Sequence, residues 1–331
     1  MEQGGLRLAV GWSATTRQIT SVTIESSRPL AARLLVGCPI AEAAALSLRL
    51  FSLCCAAQGA ATRLALAAAE GRPVGAVDLE LQTVACEAIG EHLWRLLLDW
   101  PAFFGLSPDM PTFVHWRKRL QSPKSRKEAS ALASELRTWL RTVTPPCVDE
   151  TAAAGRISPL LPWRNAHSWS AVGIDEAFSR APLLDGLAAE TGALARRAEE
   201  PAVRDLLLEG RRVAARLAAR RADLEHLVDA LDEPELLDGW LDATQVGSGI
   251  GLARVETARG LLLHLTQVKD GRVARYVIVA PTEWNFHPQG AFSGELVGRT
   301  AATREDALMQ ARRLALSLDP CVSYEVRVED A

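Results

Sequence analysis

Arg49-Leu50-Phe51-Ser52-Leu53-Cys54-Cys55-Ala56-Ala57-Gln58 and, nearly the whole chain away, Asp319-Pro320-Cys321-Val322-Ser323-Tyr324-Glu325-Val326-Arg327 decide how this sequence reads. Each carries a cysteine beside helical sequence. Cys54 lies inside an Ala/Leu-rich helical stretch, 40–70, that stops at Gly71-Arg72-Pro73. Cys321 follows a helix predicted to open at Thr303-Arg304-Glu305-Asp306, with Thr303 as its cap, and to run to about Leu318. Two thiols so far apart converge only through the fold, and both can then be held rigidly. Soft thiolates suit low-spin iron and nickel, so a shared metal site is the chemistry these positions suggest.

Working outward, the 331 residues suffice for one large domain or two smaller ones. At 48% hydrophobic residues, with Ala and Leu dominant and only 5% aromatics, packed helices are favoured over sheets. The net charge of −3 leaves no basic excess for nucleic acid. The start, Met1-Glu2-Gln3-Gly4-Gly5, has neither the basic residues nor the apolar run of a signal peptide. Apolar runs such as 93–98 are broken by charge well short of the ~20 residues that span a bilayer. No membrane insertion and a cytoplasmic location are expected.

The six cysteines form no disulfide framework, which fits a reducing compartment. Cys38, Cys86 and Cys147 read as small buried hydrophobes, and Cys55 as incidental or a spare ligand. The six histidines lack metal-ligand spacing and read as structural or surface residues. Trp100 and Trp284 read as packing anchors.

Residues 6–26 alternate around a turn at 13–17 and predict a β-hairpin. Further helices are predicted over 78–98, ending near Asp99-Trp100-Pro101, and over 125–143, followed by the breaker Pro145-Pro146. Residues 145–170 read as irregular. Residues 183–232 read as one or two amphipathic helices whose dense charge forms a solvated face. From 245 the character changes: Leu261-Leu262-Leu263 and Tyr276-Val277-Ile278-Val279 flank Lys269-Asp270-Gly271-Arg272, a hairpin signal. The fold class expected is mainly α with small antiparallel β hairpins (α+β), as a single domain over 1–331.

The two cysteine fragments resemble the R-x-C-G-x-C-x-x-x-H and D-P-C-x-x-C-x-x-H motifs of nickel-iron hydrogenase large subunits, whose four cysteines hold nickel and an Fe(CN)₂(CO) unit. Phe51 stands at the first cysteine position, Cys54 at the second, Cys321 at the third and Tyr324 at the fourth. Gln58 and Arg327 stand at the histidines. Glu256-Thr257-Ala258-Arg259-Gly260 resembles the family's E-A-P-R-G, and Ala280-Pro281-Thr282-Glu283-Trp284-Asn285 its V-P-T-T-W-N. The resemblance covers roughly 35–105 and 245–327, while 145–240 matches poorly and looks shortened. The early R-G-F-E glutamate has no clear counterpart near Arg33-Leu34-Leu35-Val36.

The resemblance implies a large-subunit-like fold. It makes Cys54 and Cys321 candidate metal ligands, with Arg259, Pro281 and Thr282 forming the wall that meets the cyanides. Cys54 takes a position that bridges the two metals in the family, and Cys321 one that binds nickel alone. With Phe51 and Tyr324 at two ligand positions, no nickel and no hydrogen conversion are expected. Arg327 at the last histidine position, four residues before the end, implies no C-terminal processing. The pattern is similar to large-subunit-like maturation proteins of the HupK/HoxV type. That implies a scaffold carrying the Fe(CN)₂(CO) unit transiently between a donor, a HypC-type chaperone with HypD, and a hydrogenase large-subunit precursor. Three alternatives stand beside it: a metal-free relative that only binds assembly partners, a true catalytic subunit, which the lost ligands oppose, and a cysteine hydrolase, which no nucleophile motif supports.

Overall fold

The computed structural model describes residues 4–28, 31–51, 53–74, 78–121, 123, 125–144, 148, 150 and 155–331; the expected Pro145-Pro146 break and Cys147 lie outside them. The N-terminal hairpin forms as expected, with β1 (Gly5–Ser13) antiparallel to β2 (Gln18–Ser26). Its alternation buries Leu6, Leu8, Val10 and Ile19 in one core with Leu314, Ala315 and Leu318.

The 40–70 stretch is two helices, α1 (Ile40–Leu50) and α2 (Cys55–Ala69), not one. The break falls on the first cysteine fragment. Cys54 has a left-handed backbone, φ 55°, and precedes the helix rather than lying inside it. Gly71, φ 67°, ends α2 where expected.

α3 (Asp78–Trp94) continues through a π-helical turn at Arg95–Asp99 into α4 (Trp100–Phe103), so the chain stays helical past the expected stop at Pro101. Pro101 sits in the first turn of α4, where its missing N–H costs little. α5 (Met110–Leu120), started by Pro111 and the Asp109 cap, was not expected. α6 (Arg126–Leu140) is capped by Ser125, whose hydroxyl accepts from the Glu128 N–H (3.3 Å). Val84, Ile89, Leu93, Phe113, Trp116, Leu132 and Leu136 from these helices form one core.

Short helix α7 (Ala166–Ser170) interrupts the irregular segment. The 183–232 region contains α8 (Ala193–Arg197), α9 (Pro201–Leu208) and α10 (Arg212–Asp229). Its charges do not form a simple solvated face. α10 packs against α3 and α6, so its polar groups are desolvated and persist only in pairs. Arg212 reaches Glu190 (2.6 Å) and Glu295 (2.8 Å), Arg216 reaches Glu190 (2.7 Å), and Asp223 pairs with Arg196 (2.6 Å) and His92 (2.9 Å).

A four-stranded antiparallel sheet follows, in the order β3 (Leu241–Gly247), β4 (Ile250–Thr257), β5 (Gly260–Lys269), β6 (Arg272–Val279). The β5–β6 hairpin is the expected one. α2 covers one face, where Ala61, Leu64 and Ala65 join Ala253, Val255 and Leu262; the other face holds Leu252, Leu261 and Leu263 with Trp169 and Trp284. Helix and sheet approach closely because Gly251 lacks a side chain: a Cβ there would lie 2.1 Å from the Ala65 carbonyl oxygen.

α11 (Pro281–Asn285), α12 (Ala291–Leu296) and α13 (Arg304–Leu318) complete the helices. Thr303 caps α13 as expected, its hydroxyl accepting from the Asp306 N–H (3.1 Å). After Cys321 the chain forms β7 (Ser323–Asp330), which pairs parallel to β1 and completes a β2-β1-β7 sheet. Among the described residues, no helix is long and apolar enough to cross a membrane.

Candidate functional site

The two ends of the chain meet at Arg259, in the tight turn between β4 and β5. The Thr257 hydroxyl accepts from the N–H groups of Arg259 and Gly260 (3.2 Å each), fixing the turn. A side chain on Gly260, φ 128°, would strike Thr191. The Arg259 guanidinium then donates in three directions: to the Cys54 sulfur (Nη1, 3.4 Å), to Glu91 (Nη2, 2.6 Å) and to Asp319 (Nε, 3.1 Å).

Cys54 is placed by an unusual helix start. It has no oxygen with which to cap α2, and Glu87 of α3 serves instead. Its carboxylate accepts from the N–H groups of Ala56 (2.7 Å) and Ala57 (3.0 Å). A helix N-terminus ordinarily favours a thiolate. Here that advantage is spent on Glu87. Burial pushes the Cys54 thiol far above its usual range; Arg259 opposes the shift, while Glu87 and Glu91 add to it. With nothing bound, Cys54 is a neutral thiol.

Cys321 is held by Thr282 in the first turn of α11. The Thr282 hydroxyl accepts from the Cys321 N–H (3.1 Å) and lies 2.9 Å from its sulfur. Pro281 and Thr282 are both buried. The turn into Cys321 is made by Asp319, φ 55°, which ends α13. Asp319 accepts from Arg259, from Arg95 (2.7 Å) in the π-helical turn and from Arg220 (2.8 Å) of α10. Burial alone would raise its pKa, but these three guanidiniums overcome it and hold the carboxylate ionised.

Arg28, just beyond β2, donates to Glu283 (3.0 Å) beside Thr282. Burial would lower its pKa, but the ion pair with Glu283 holds it protonated. Thus the structure sets Cys54 against Arg259, and Cys321 against Thr282 in the Pro281–Asn285 helix, the two halves joined by the Arg259–Asp319 pair.

Other motif positions diverge. Gln58 is buried and bonds His264 (2.9 Å), whose other ring nitrogen meets Tyr276 (2.8 Å). Tyr324 and Arg327 lie on the edge strand β7, Arg327 exposed beside Glu325 (2.9 Å). Phe51 lines a cavity next to Thr282. Cys86 is buried as expected, Cys38 is half-buried and Cys55 is exposed. Among the described residues, no cluster of three or more His, Cys, Asp or Glu is arranged to hold a metal ion. Sequence reasoning missed Arg28, Glu87, Glu91, Arg95 and Arg220. Only Glu87 and Glu91 carried a local signal, two acids four apart and so on one face of α3.

Residues 207–327 match the nickel-dependent hydrogenase family. A hydrogenase expression/formation protein HupK of Rhizobium leguminosarum bv. viciae is 31% identical, over 94% of this chain and 93% of its own. The corresponding HoxV of Cupriavidus necator is 30% identical, over 93% of each. Among solved structures, the Ni-Fe-Se hydrogenase of D. vulgaris Hildenborough superposes with a TM-score of 0.65 at 16% identity, covering 92% of this chain and 93% of that one, which speaks for the fold alone. The chain belongs to the HupK/HoxV family of hydrogenase expression/formation proteins and has a nickel-iron hydrogenase large-subunit-like α+β fold.

Proposed function

We propose that the protein acts in hydrogenase assembly as a scaffold, holding the Fe(CN)₂(CO) unit between Cys54 and Cys321 before it passes to a hydrogenase large-subunit precursor. The observation that supports this reading is that the buried Arg259 guanidinium touches both the Cys54 sulfur and Asp319, two residues before Cys321, whose sulfur lies against the Thr282 hydroxyl. The donor set suits such a cargo: two soft thiols for iron, and Arg259 and Thr282 as donors toward cyanide nitrogens. Two thiols alone make a poor cage for a bare metal ion, whereas a unit that brings its own cyanides and carbonyl needs few protein ligands.

Capture exchanges two S–H bonds for two Fe–S bonds and releases two protons. Because burial favours the neutral thiol at Cys54, that exchange works against the protein, which suits a hold that must later be given up. Phe51 and Tyr324 at two nickel-ligand positions support cargo handling without nickel and without catalysis of hydrogen conversion. The donor in this reading is a HypC-type chaperone with HypD.

The test is complementation of a strain lacking this gene, read as hydrogenase activity and as iron in the isolated scaffold. Cys54→Ser and Cys321→Ser are each expected to abolish both, and the double variant to be no worse, since ligands of one site act as a unit. Cys86→Ser is expected to be nearly silent. Full activity in either single variant would contradict a shared site. Isolation of the unaltered protein is expected to recover the large-subunit precursor or a HypC-type chaperone; a stable stoichiometric iron–sulfur small subunit instead would count against the scaffold.

A further inference from the structure

A cavity of about 530 Å³ opens beside Thr282; neither cysteine lines it, and Cys54 lines a separate cavity of about 360 Å³ with Glu87 and Glu91. The lining of the larger cavity includes Thr282, the side chain against the Cys321 sulfur, and Phe51, three residues before Cys54. Its charged residues are Arg28, Arg33 and Arg180 against Glu176 and Glu283. Arg33 and Glu176 pair with each other at 3.1 Å, more than half exposed, so they belong to the rim. Arg28 is the inner cation, with 22% of its side chain exposed. Its partner Glu283 uses one oxygen for the pair, and among the described residues the other, Oε2, is buried with no hydrogen-bond partner.

Building on the scaffold reading above, we propose that this cavity is the port by which the Fe(CN)₂(CO) unit reaches the thiols, and that Arg28 recognises its cyanides there. The charge balance asks for a second cation. Iron(II), two cyanides and two thiolates leave two negative charges, and Arg259 is already committed to Asp319 and Glu91. Arg28 stands on the cavity side, in the lining with Thr282, and Arg259 on the β4–β5 side against the Cys54 sulfur, so the two guanidiniums come from different elements. A dicyanide unit arriving through the port meets Arg28 first, then Thr282, then Cys321. Glu283 opposes it and helps keep the hold reversible.

The experiment compares proteins isolated anaerobically from the native host by infrared spectroscopy, with thermal unfolding as the check on folding. Arg28→Gln is expected to lower the intensity of the cyanide and carbonyl bands per chain about tenfold or more, and to shift the residual cyanide bands, as loss of a charge-assisted donor requires. Arg28→Lys is expected to restore most of the intensity, and Arg33→Gln to leave it unchanged. Ser26→Trp, at the exposed end of β2 on the cavity wall, is expected to slow loading without changing the final band positions.

Unchanged intensity and position in a folded Arg28→Gln protein would overturn the role of Arg28, and unchanged loading kinetics in Ser26→Trp would overturn the port. Should Arg28→Gln not fold, Arg28→Lys and Ser26→Trp still decide: shifted cyanide bands in the first and slowed loading in the second support the proposal, and neither change removes it. Absence of all bands from the unaltered protein would remove the scaffold reading itself, and this inference with it.

Discussion

Arg259 shows how one residue can be both site and structure. Its guanidinium pairs with the buried Asp319 and with Glu91 as well as facing Cys54, so removing it breaks two ion pairs at once. Arg259→Leu is therefore expected to destabilise the fold by about 3–5 kcal/mol. Lost iron in that variant would be ambiguous. Arg259→Lys keeps the charge but loses the fork, and is expected to fold while binding less iron. Urea denaturation beside iron analysis separates the two outcomes. A folded Arg259→Lys protein with normal iron content would contradict the cyanide-facing role.

His264 gives a pH test at the same scale. Burial lowers its imidazole to about 3. The unfolded value is about 6.5, so between the two the unfolded chain binds the extra proton, and stability rises with pH. Its contribution is complete above roughly pH 6.5 and is lost on acidification by at most about 1.4 kcal/mol per pH unit. His92, lowered by burial despite Asp223, acts in the same direction. Urea midpoints are expected to fall from about pH 7 to about pH 5, and His264→Gln to flatten that slope. An equal slope in the variant would place the titration elsewhere.

The residues of fixed-spacing motifs were legible in the sequence. Cys54, Arg259, Thr282 and Cys321 could be read because neighbours in sequence hold them in register. Arg28 and Arg220 could not, because their partners lie across the fold and no spacing connects them.

At the scale of elements, the start of α2 is the sensitive place. Glu87 supplies the cap that Cys54 cannot, and Glu87→Ala is expected to cost about 1–2 kcal/mol and to loosen the backbone that presents Cys54. Hydrogen exchange at Ala56 and Ala57 measures this locally; unchanged protection there would refute the capping role. Gly251→Ala is expected to be more damaging, because the added methyl meets the α2 backbone rather than a side chain that can move. A wild-type melting temperature in that variant would show that α2 can shift off the sheet freely.

The β1–β2 and β5–β6 hairpins were legible because alternation and an Asp-Gly turn are local signals. β4 was not. It is buried on both faces, so its residues carry no alternation to read. The break between α1 and α2 was hidden for a related reason: Ala and Leu on both sides favour helix, while the left-handed turn at Cys54 is imposed by packing.

Over the whole molecule, buried charge ties the middle of the chain to its end. Arg212 and Arg216 of α10, with Glu190 and Glu295, and Arg220 with Asp319, connect the helical middle to α12 and to the turn before Cys321. Amphipathic periodicity reads such arginines as solvent-facing, since nothing local reveals that another helix will cover them. Truncating one partner, as in Arg216→Met, is expected to cost about 3–5 kcal/mol, checked by urea denaturation. A change below ~1 kcal/mol would mean that the cluster is hydrated rather than buried.

The central claim is that Cys54 and Cys321 together hold a cyanide- and carbonyl-bearing iron unit. The most direct measurement is the infrared spectrum of the full chain isolated anaerobically from its native host, beside the Cys54→Ser and Cys321→Ser proteins. The account predicts cyanide and carbonyl stretches in the unaltered protein and their loss in both variants. A spectrum without those stretches, from protein that still supports hydrogenase formation, would contradict it and leave a metal-free assembly factor in its place.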